Sequence, residues 1–365
     1  VRKRIAIDLF SGCGGLTQGL KDAGFNVVAG AEIRPYARKT YETNNKGIIA
    51  FADVRDIRCA SLLKKIGLEK GELDLLAACP PCQGFSSIRT RNGEIADDPR
   101  NELIFEVSRL VKGLMPKCVL IENVPRLLND IRLCDFKSRL AKLGYRFSDG
   151  VLDAQNFGVP QRRKRMILIA SRADYGSPFG LPVASKQIVS VKSILEELPD
   201  PNEDCAPPLH KIRQRLSPLV QMRINHIRKN RTELPEHLVL DCHKESDGGF
   251  RDVYGRMDYD SVAPTITQGC TNPSKGRFVH PIQNRGITLY EAMLLQGFPP
   301  NYKFDPSLGI GKIASMIGEA FPPPMAKAQA IHIINKLDNI EQNPYLAASK
   351  TLCWIKNSQS NFTPE

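Results

Sequence analysis

The chain has 365 residues, 42% hydrophobic and 25% charged, with 51 Lys and Arg against 39 Asp and Glu for a net charge of +12. This is the balance of a folded protein, long enough for one large domain and a smaller one, and no apolar run approaches the length of a membrane span. The basic excess predicts a polyanionic partner, nucleic acid before membrane surface, with a solvated basic surface as the plain alternative.

To about residue 170, short apolar runs alternate with helical patterns. The strand "RIAIDLF" runs into "DLFSGCGG", where Gly12, Gly14 and Gly15 let the backbone curl before the helix "LTQGLKDAGF" closes on Gly24. A dinucleotide fingerprint would place glycine or alanine five positions after Gly12, where Thr17 stands. The next strand, "NVVAGAEI", ends on Glu32, placed to accept from both hydroxyls of a ribose. Asp53 in "FADVRDI" is placed to accept from an adenine amine, and Phe10 offers an aromatic face. Either acid alone reads as a solvated strand end or a cap. Together they fit a nucleoside without a pyrophosphate, which points to S-adenosylmethionine over NAD.

The strand "LDLLAAC" leads into "PPCQGFSS", with Cys79 and Cys82 three positions apart around Pro80 and Pro81. A structural zinc site needs a second close pair of ligands, which the scattered cysteines and histidines do not supply. A redox pair would open a helix, whereas glycine and serines follow here. Cys79, where the strand is finishing, reads as buried filler, and Cys82, beyond the strand's carboxyl end, as a nucleophile. The ten cysteines are irregularly spaced and no secretory signal opens the sequence, which predicts reduced thiols in the cell interior. Val1 in place of methionine points to a processed or trimmed start.

After the helix "ELIFEVSRLVKGL", the strand "CVLIENV" carries Glu122 to its carboxyl end, where it could equally cap a helix. The helix "DFKSRLAKLGY" follows, then "NFGVPQRRKRMILIA", where Arg163 and Arg165 alternate toward one face or add surface charge. This order predicts an α/β fold, a doubly wound and mostly parallel sheet with ligands at the carboxyl ends of its strands. A thiol, a carboxylate and two guanidinium groups at those ends fit a site that grips a polar ring and attacks it.

From residue 174 the character changes: prolines cluster in "LPDPNEDCAPP", and residues 211–231 hold seven Lys and Arg (Lys211, Arg213, Arg215, Arg223, Arg228, Lys229, Arg231) and no acid. That run reads as a phosphate-contacting stretch or as a solvated basic helix. The expected division is 1–173 for the catalytic and cofactor domain, 174–286 for a second domain, and 287–340 for a return segment. The helix "MAKAQAIHIINKL" after Pro322–Pro324 packs that segment back on the first domain, and 341–365 is a polar tail.

Taken in order, these motifs resemble a cytosine-C5 DNA methyltransferase from Ile5 to about Leu337. "DLFSGCGGL" and "AEI" are similar to the family's two cofactor motifs, "PPCQGFS" to its nucleophile motif, and "DPRNELIFE" to the helix motif that follows. "ENV" is similar to the carboxylate motif, "QNFGVPQRRKR" to the arginine motif, and "APTIT" through "LQGFP" and "IGEAFPPP" to the last two. The resemblance implies the class I S-adenosylmethionine methyltransferase fold of the bacterial modification type, with the second domain recognising the target. It implies methylation of a flipped cytosine in double-stranded DNA: Cys82 adds to C6, Glu122, protonated or sharing a proton, meets N3 and the exocyclic amine, Arg163 or nearby backbone amides favour the thiolate, and Arg165 holds O2. The cofactor would lie against Phe10, Ser11, Gly12, Cys13, Gly14, Gly15, Leu16, Glu32, Ile33, Asp53, Val54, Pro80, Leu103, Glu319 and Ala320. DNA would meet Ser86, Ser87, Arg89, Arg91, Arg228 and Arg256, each of which alone reads equally as ordinary surface. The implied setting is a monomer in the bacterial cytoplasm, nucleoid-associated in use, with a cognate restriction endonuclease as functional partner and neither metal nor membrane.

Two departures stand out. Ala78 and Cys79 occupy positions where the family often has two glycines, and Glu319 and Phe321 stand where asparagine and valine are usual. A carboxylate at 319 would repel the cofactor's carboxylate and attract its ammonium. An RNA cytosine methyltransferase of the same fold would share nearly every one of these residues, with "QGFS" favouring DNA. A decayed, non-catalytic DNA-binding scaffold would have lost Cys82, Glu122 or Arg165, and all three are present.

Overall fold

The computed structural model describes residues 3–81, 99–185, 187–227, 234–240 and 253–342. Strands β1 (Ile5–Leu9), β2 (Asn26–Ala31), β3 (Ile49–Phe51), β4 (Leu75–Ala78), β5 (Cys118–Asn123), β6 (Tyr145–Asp153) and β7 (Lys164–Arg172) form one sheet in the order β3-β2-β1-β4-β5-β7-β6. β3 through β5 pair in parallel, and β7 runs antiparallel to both of its neighbours. From β1 the chain winds outward through β2 and β3, then returns to lay β4 on the other flank of β1. The crevice outside the carboxyl ends of β1 and β4 is therefore the point where winding direction reverses, the usual ligand position in such sheets.

The strands are apolar throughout because both faces are covered. On one face Ile7, Leu9, Leu76, Ala78, Val119, Ile121 and Leu168 pack with helices α3 (Cys59–Ile66), α4 (Leu103–Leu114) and α5 (Ile131–Lys142). On the other, Ala6, Leu75, Ala77, Cys118, Leu120 and Ile167 pack with α1 (Gly15–Asp22). The long helix that opens on Pro323, within the three prolines, covers the same face. In chain order after α2 (Pro35–Asn44) and α5, the helices longer than four residues are α6 (Pro218–His226), α7 (Leu289–Leu295), α8 (Ile310–Glu319) and this last one, α9 (Pro323–Gln342). α9 approaches α1 closely because Gly19 has no side chain: a methyl there would sit 2.4 Å from the Pro323 carbonyl oxygen. Among the described residues no helix is long and apolar enough to cross a membrane.

A second core joins Val191, Leu195 and Leu209 to residues between Met257 and Ile317, and it takes in Cys13 and Ala37. A small third cluster gathers Ile224, Ile227, Tyr254 and Val279. Below the sheet, at the end away from the crevice, Asp74 is buried and accepts from the Ile5 amide at 2.9 Å. It pairs with Arg4 at 3.1 Å and Lys117 at 2.8 Å; both cations also reach Glu341, and Arg4 reaches Asp338, at the end of α9.

This network generates two expectations. Asp74→Ala leaves two cations facing a buried gap and should lower stability by about 3–5 kcal/mol, read from the urea midpoint. Contact with Arg4, then Lys117, holds the Glu341 carboxyl down at about 2. A depressed acid contributes stability above its unfolded pKa and loses it as pH falls through the folded one. Acid titration should therefore show an unfolding limb between about pH 4.5 and 2 that is shallower in Glu341→Gln.

Candidate active site

Six backbone ends converge on the crevice. After β1 the chain enters a loop with positive φ at Phe10, Gly12 and Gly14, a curl that two glycines make tolerable. The Ser11 amide donates to the Ala31 carbonyl at 2.9 Å and the Gly14 amide to Ser11 at 2.8 Å. Tyr302 Oη donates to the Cys13 carbonyl at 2.5 Å, so the second core supports the loop from behind. The Cys13 thiol points into that core, donating to the Met316 carbonyl at 3.4 Å, and burial raises its pKa far above the ordinary thiol range. Leu16 is likewise a core residue. At this loop the crevice is lined by backbone rather than by those two side chains.

Glu32, just past β2, is buried and fully engaged on one oxygen. Oε1 accepts from the Arg34 amide and from Arg34 Nε, both at 2.9 Å, and Oε2 accepts from the Gly12 amide at 3.0 Å. The Arg34 guanidinium also pairs through Nη1 with Glu319, whose Oε1 accepts from Gln268 Nε2 at 2.6 Å and Ser315 Oγ at 3.0 Å. Beside this network Ile33 is 62% exposed, an apolar side chain with no core to cover it. Asp53 caps a short turn and pairs with Arg55, whose guanidinium holds its carboxyl below the usual range. The carbonyl of buried Val54 accepts from Arg109 on α4 at 2.9 Å. Leu103 opens α4 and packs against the first core, and Ala320 packs against the second.

The other side of the crevice carries the chemistry-bearing groups. Glu122 is the penultimate residue of β5, and because β7 is reversed, its first residues lie at that same edge. Arg165 Nε thus meets Glu122 Oε1 at 2.9 Å. In the parallel β4–β5 register Ala78 faces Ile121, so Cys79 comes beside Glu122. Burial, then the Glu122 charge, push the Cys79 thiol well above its ordinary range, so it stays protonated and packs against apolar neighbours. Asn123 Nδ2 donates to the Pro80 carbonyl at 2.9 Å, clamping the end of β4 to the end of β5. Cys82, Ser86, Ser87, Arg89, Arg91 and Arg228 lie outside the described residues.

Two arginines turn inward. Arg163 precedes β7, so strand alternation does not orient it toward Glu122. It is 2% exposed and donates to the carbonyls of Ile266 and Gly318 at 2.9 Å and Ala320 at 3.3 Å, binding the start of β7 to two segments of the second core. Arg256 turns inward as well, donating to His280 and Gln283 carbonyls at 2.6 and 2.8 Å and to Asn284 Oδ1 at 2.6 Å, so its head is not offered to DNA. Irregular backbone cannot satisfy its own carbonyls, and a buried guanidinium supplies several donors at once. The basic run is divided in the same way. Lys211, Arg213 and Arg215 are exposed, whereas Arg223 is buried against Leu238 and Tyr254.

Three positions near the site carried no signal of their own in the sequence reading. Asp8 is fully buried with Thr17 Oγ1 at 2.6 Å, and burial pushes it up to about 7. Arg34 and Gln161, whose amide ties Ile266 to Gln296, are the others. Each is a polar residue whose role depends on a partner distant in the chain.

A family model described as C-5 cytosine-specific DNA methylase matches residues 5–335. The type II methylase M.HgiDII of Herpetosiphon aurantiacus is 33% identical over 349 residues, covering 92% of this chain and 96% of its own. The type II methyltransferase M1.BsuMI of Bacillus subtilis (strain 168) is 33% identical over 355 residues, covering 89% and 79%. Among solved structures, one described as a prophage-encoded DNA modification methyltransferase (E. coli) has a TM-score of 0.70 at 23% identity, covering 92% of this chain and 99% of that one. Spodoptera frugiperda DNMT2 has a TM-score of 0.66 at 18% identity, with 91% and 99% covered. Both likenesses are of fold.

The inward arginines can be separated from surface ones by stability. Arg163→Ala and Arg256→Ala should each lower the urea-unfolding free energy by about 2–4 kcal/mol, because buried carbonyls lose their donors. Exposed Arg215→Ala should stay within about 0.5 kcal/mol of the parent.

Proposed function

From the premise that the chain belongs to the C-5 cytosine-specific DNA methylase family and is a DNA cytosine-5-methyltransferase, we propose that it methylates C5 of a flipped cytosine in a specific double-stranded sequence, with S-adenosylmethionine as donor and a transient bond from Cys82 to C6. The observation that carries this reading is the Glu122–Arg165 pair at 2.9 Å, set at the carboxyl edge of the sheet beside the end of the strand that leads to Cys82.

Cytosine C5 is a weak nucleophile, and thiolate addition at C6 turns the C5–C6 bond into an electron-rich enamine. Glu122, held in position by Arg165, shares a proton with N3 and accepts from the exocyclic amine; the shared proton neutralises the charge that builds in the ring as sulfur adds. Arg165 Nη1 donates to the Lys164 carbonyl at 2.8 Å, while Nη2 makes no hydrogen bond among the described residues and suits the ring O2. Loss of the C5 proton and expulsion of the Cys82 sulfur then restore the aromatic ring.

The chain's residues fit the donor. Backbone amides of the Phe10–Gly15 loop, the buried Glu32 carboxylate and the exposed apolar Ile33 form a lining for a nucleoside: an acceptor for hydroxyls beside an apolar face for a base. S-adenosylmethionine, when bound, supplies a methyl group on a cationic sulfur, within reach of an electron-rich carbon. Residues 174–286 are the part we assign to target recognition, with exposed Lys211, Arg213 and Arg215 available to phosphates. The relatives' type II names make a cognate restriction endonuclease the expected functional counterpart.

A duplex carrying 5-fluorocytosine at the target blocks proton loss at C5. In the presence of S-adenosylmethionine it should trap a denaturation-resistant protein–DNA adduct whose peptide map ends at Cys82. Cys82→Ser should give no adduct and lose roughly three orders of magnitude or more in turnover, while Cys79→Ser keeps most of it. Equal loss from both variants would overturn the assignment.

A further inference from the structure

The Glu32 carboxylate has four lone-pair positions, and three of them are taken within the protein. Oε2 receives the Gly12 amide and has one position left, whereas Oε1 is filled by the Arg34 amide and by Arg34 Nε. Two ribose hydroxyls cannot both be accepted while Arg34 Nε stays where it is. The backbone amide cannot leave without moving the strand end, so the side chain is the group that yields. It has a place to go. Arg34 Nη1 is already paired with Glu319, and Glu319 is itself held by Gln268 and Ser315. The guanidinium also lies 5.7 Å from the centre of the Tyr36 ring.

We propose that Arg34 is an internal stand-in for one ribose hydroxyl at Glu32, displaced when a nucleoside with both hydroxyls binds and retained at the rim by Glu319. This inference rests on the reading of Glu32 as the ribose-binding carboxylate. It gives the unusual carboxylate at 319 a task, since Glu319 serves as the counter-ion of Arg34 and does not confront the donor's carboxylate as a bare charge. It also makes Arg34 a determinant of ligand specificity. When a ligand lacks the hydroxyl that Oε1 would accept, Arg34 Nε returns and refills the vacant position. The missing hydrogen bond then costs less than it would at a carboxylate left unsatisfied.

The test compares binding of S-adenosylhomocysteine with that of its 2′-deoxy and 3′-deoxy analogues by titration calorimetry, on the parent chain, Arg34→Met and Glu319→Gln. Arg34→Met should bind the parent ligand at least as tightly as the unmodified protein. It should also discriminate against one of the two deoxy analogues by roughly tenfold more than the unmodified protein does. Glu319→Gln should bind the parent ligand several-fold more weakly, because the displaced guanidinium loses its berth, and adding Arg34→Met to it should restore the affinity. A purely electrostatic role predicts the reverse, with Glu319→Gln tightening and Arg34→Met weakening. Either that pattern or identical discrimination ratios in parent and Arg34→Met overturns the proposal while leaving the donor reading intact. Failure of the unmodified protein to bind S-adenosylhomocysteine overturns both.

Discussion

A buried carboxylate needs a cation within reach, and here that requirement shapes the edge of the sheet. Glu122 lies one residue from the end of a strand enclosed on both sides, where it is largely withdrawn from water. A parallel neighbour would bring its own end to the same edge and leave the basic residues at the far side of the sheet. Inserting β7 in the opposite sense places Lys164 and Arg165 there instead. The one reversed strand is thus inseparable from the ion pair, and the ion pair from the chemistry proposed for the crevice.

The two halves of the crevice are held differently. On the side of Glu122, the clamps are short and run between adjacent strands, with Asn123 on Pro80 and Arg165 on Glu122. On the side of Glu32 they reach across the whole chain: Tyr302 supports Cys13, Met316 receives its thiol, and Glu319 holds Arg34. The glycine loop therefore takes its form from residues about 290 positions downstream. Gly15 shows how close that approach is, since a methyl on it would lie 2.4 Å from the Phe321 carbonyl oxygen.

What could be read beforehand follows from how much of the sequence signal is local. β1, β2, β4, β5 and β7 are unbroken apolar runs and were legible as buried strands, and the motif order identified the family that the comparisons show. β3 has only three half-buried residues, and β6, "YRFSDGVLD", is an edge strand with charges on it, so neither stood out. α2 was missed because "PYARKTYETN" buries little more than Ala37, Thr40 and Tyr41 and lacks a broad apolar stripe. The acids at strand ends were placed correctly by strand position alone. Arginines are harder to place, because a guanidinium that solvates distant carbonyls and one that faces solvent look the same in a sequence. Arg163, Arg223 and Arg256 all proved to be of the first kind.

Arg4 and Glu341 sit at opposite ends of the described fold, 337 positions apart, and their side chains touch. In space the described fold from Arg4 to Glu341 is close to a ring, opened at that salt bridge. A few added residues would suffice to splice the two ends, and a cut made in an exposed loop elsewhere would give a circular permutant with every strand in its present place. The crevice depends on which segments lie side by side and not on the order in which the chain visits them.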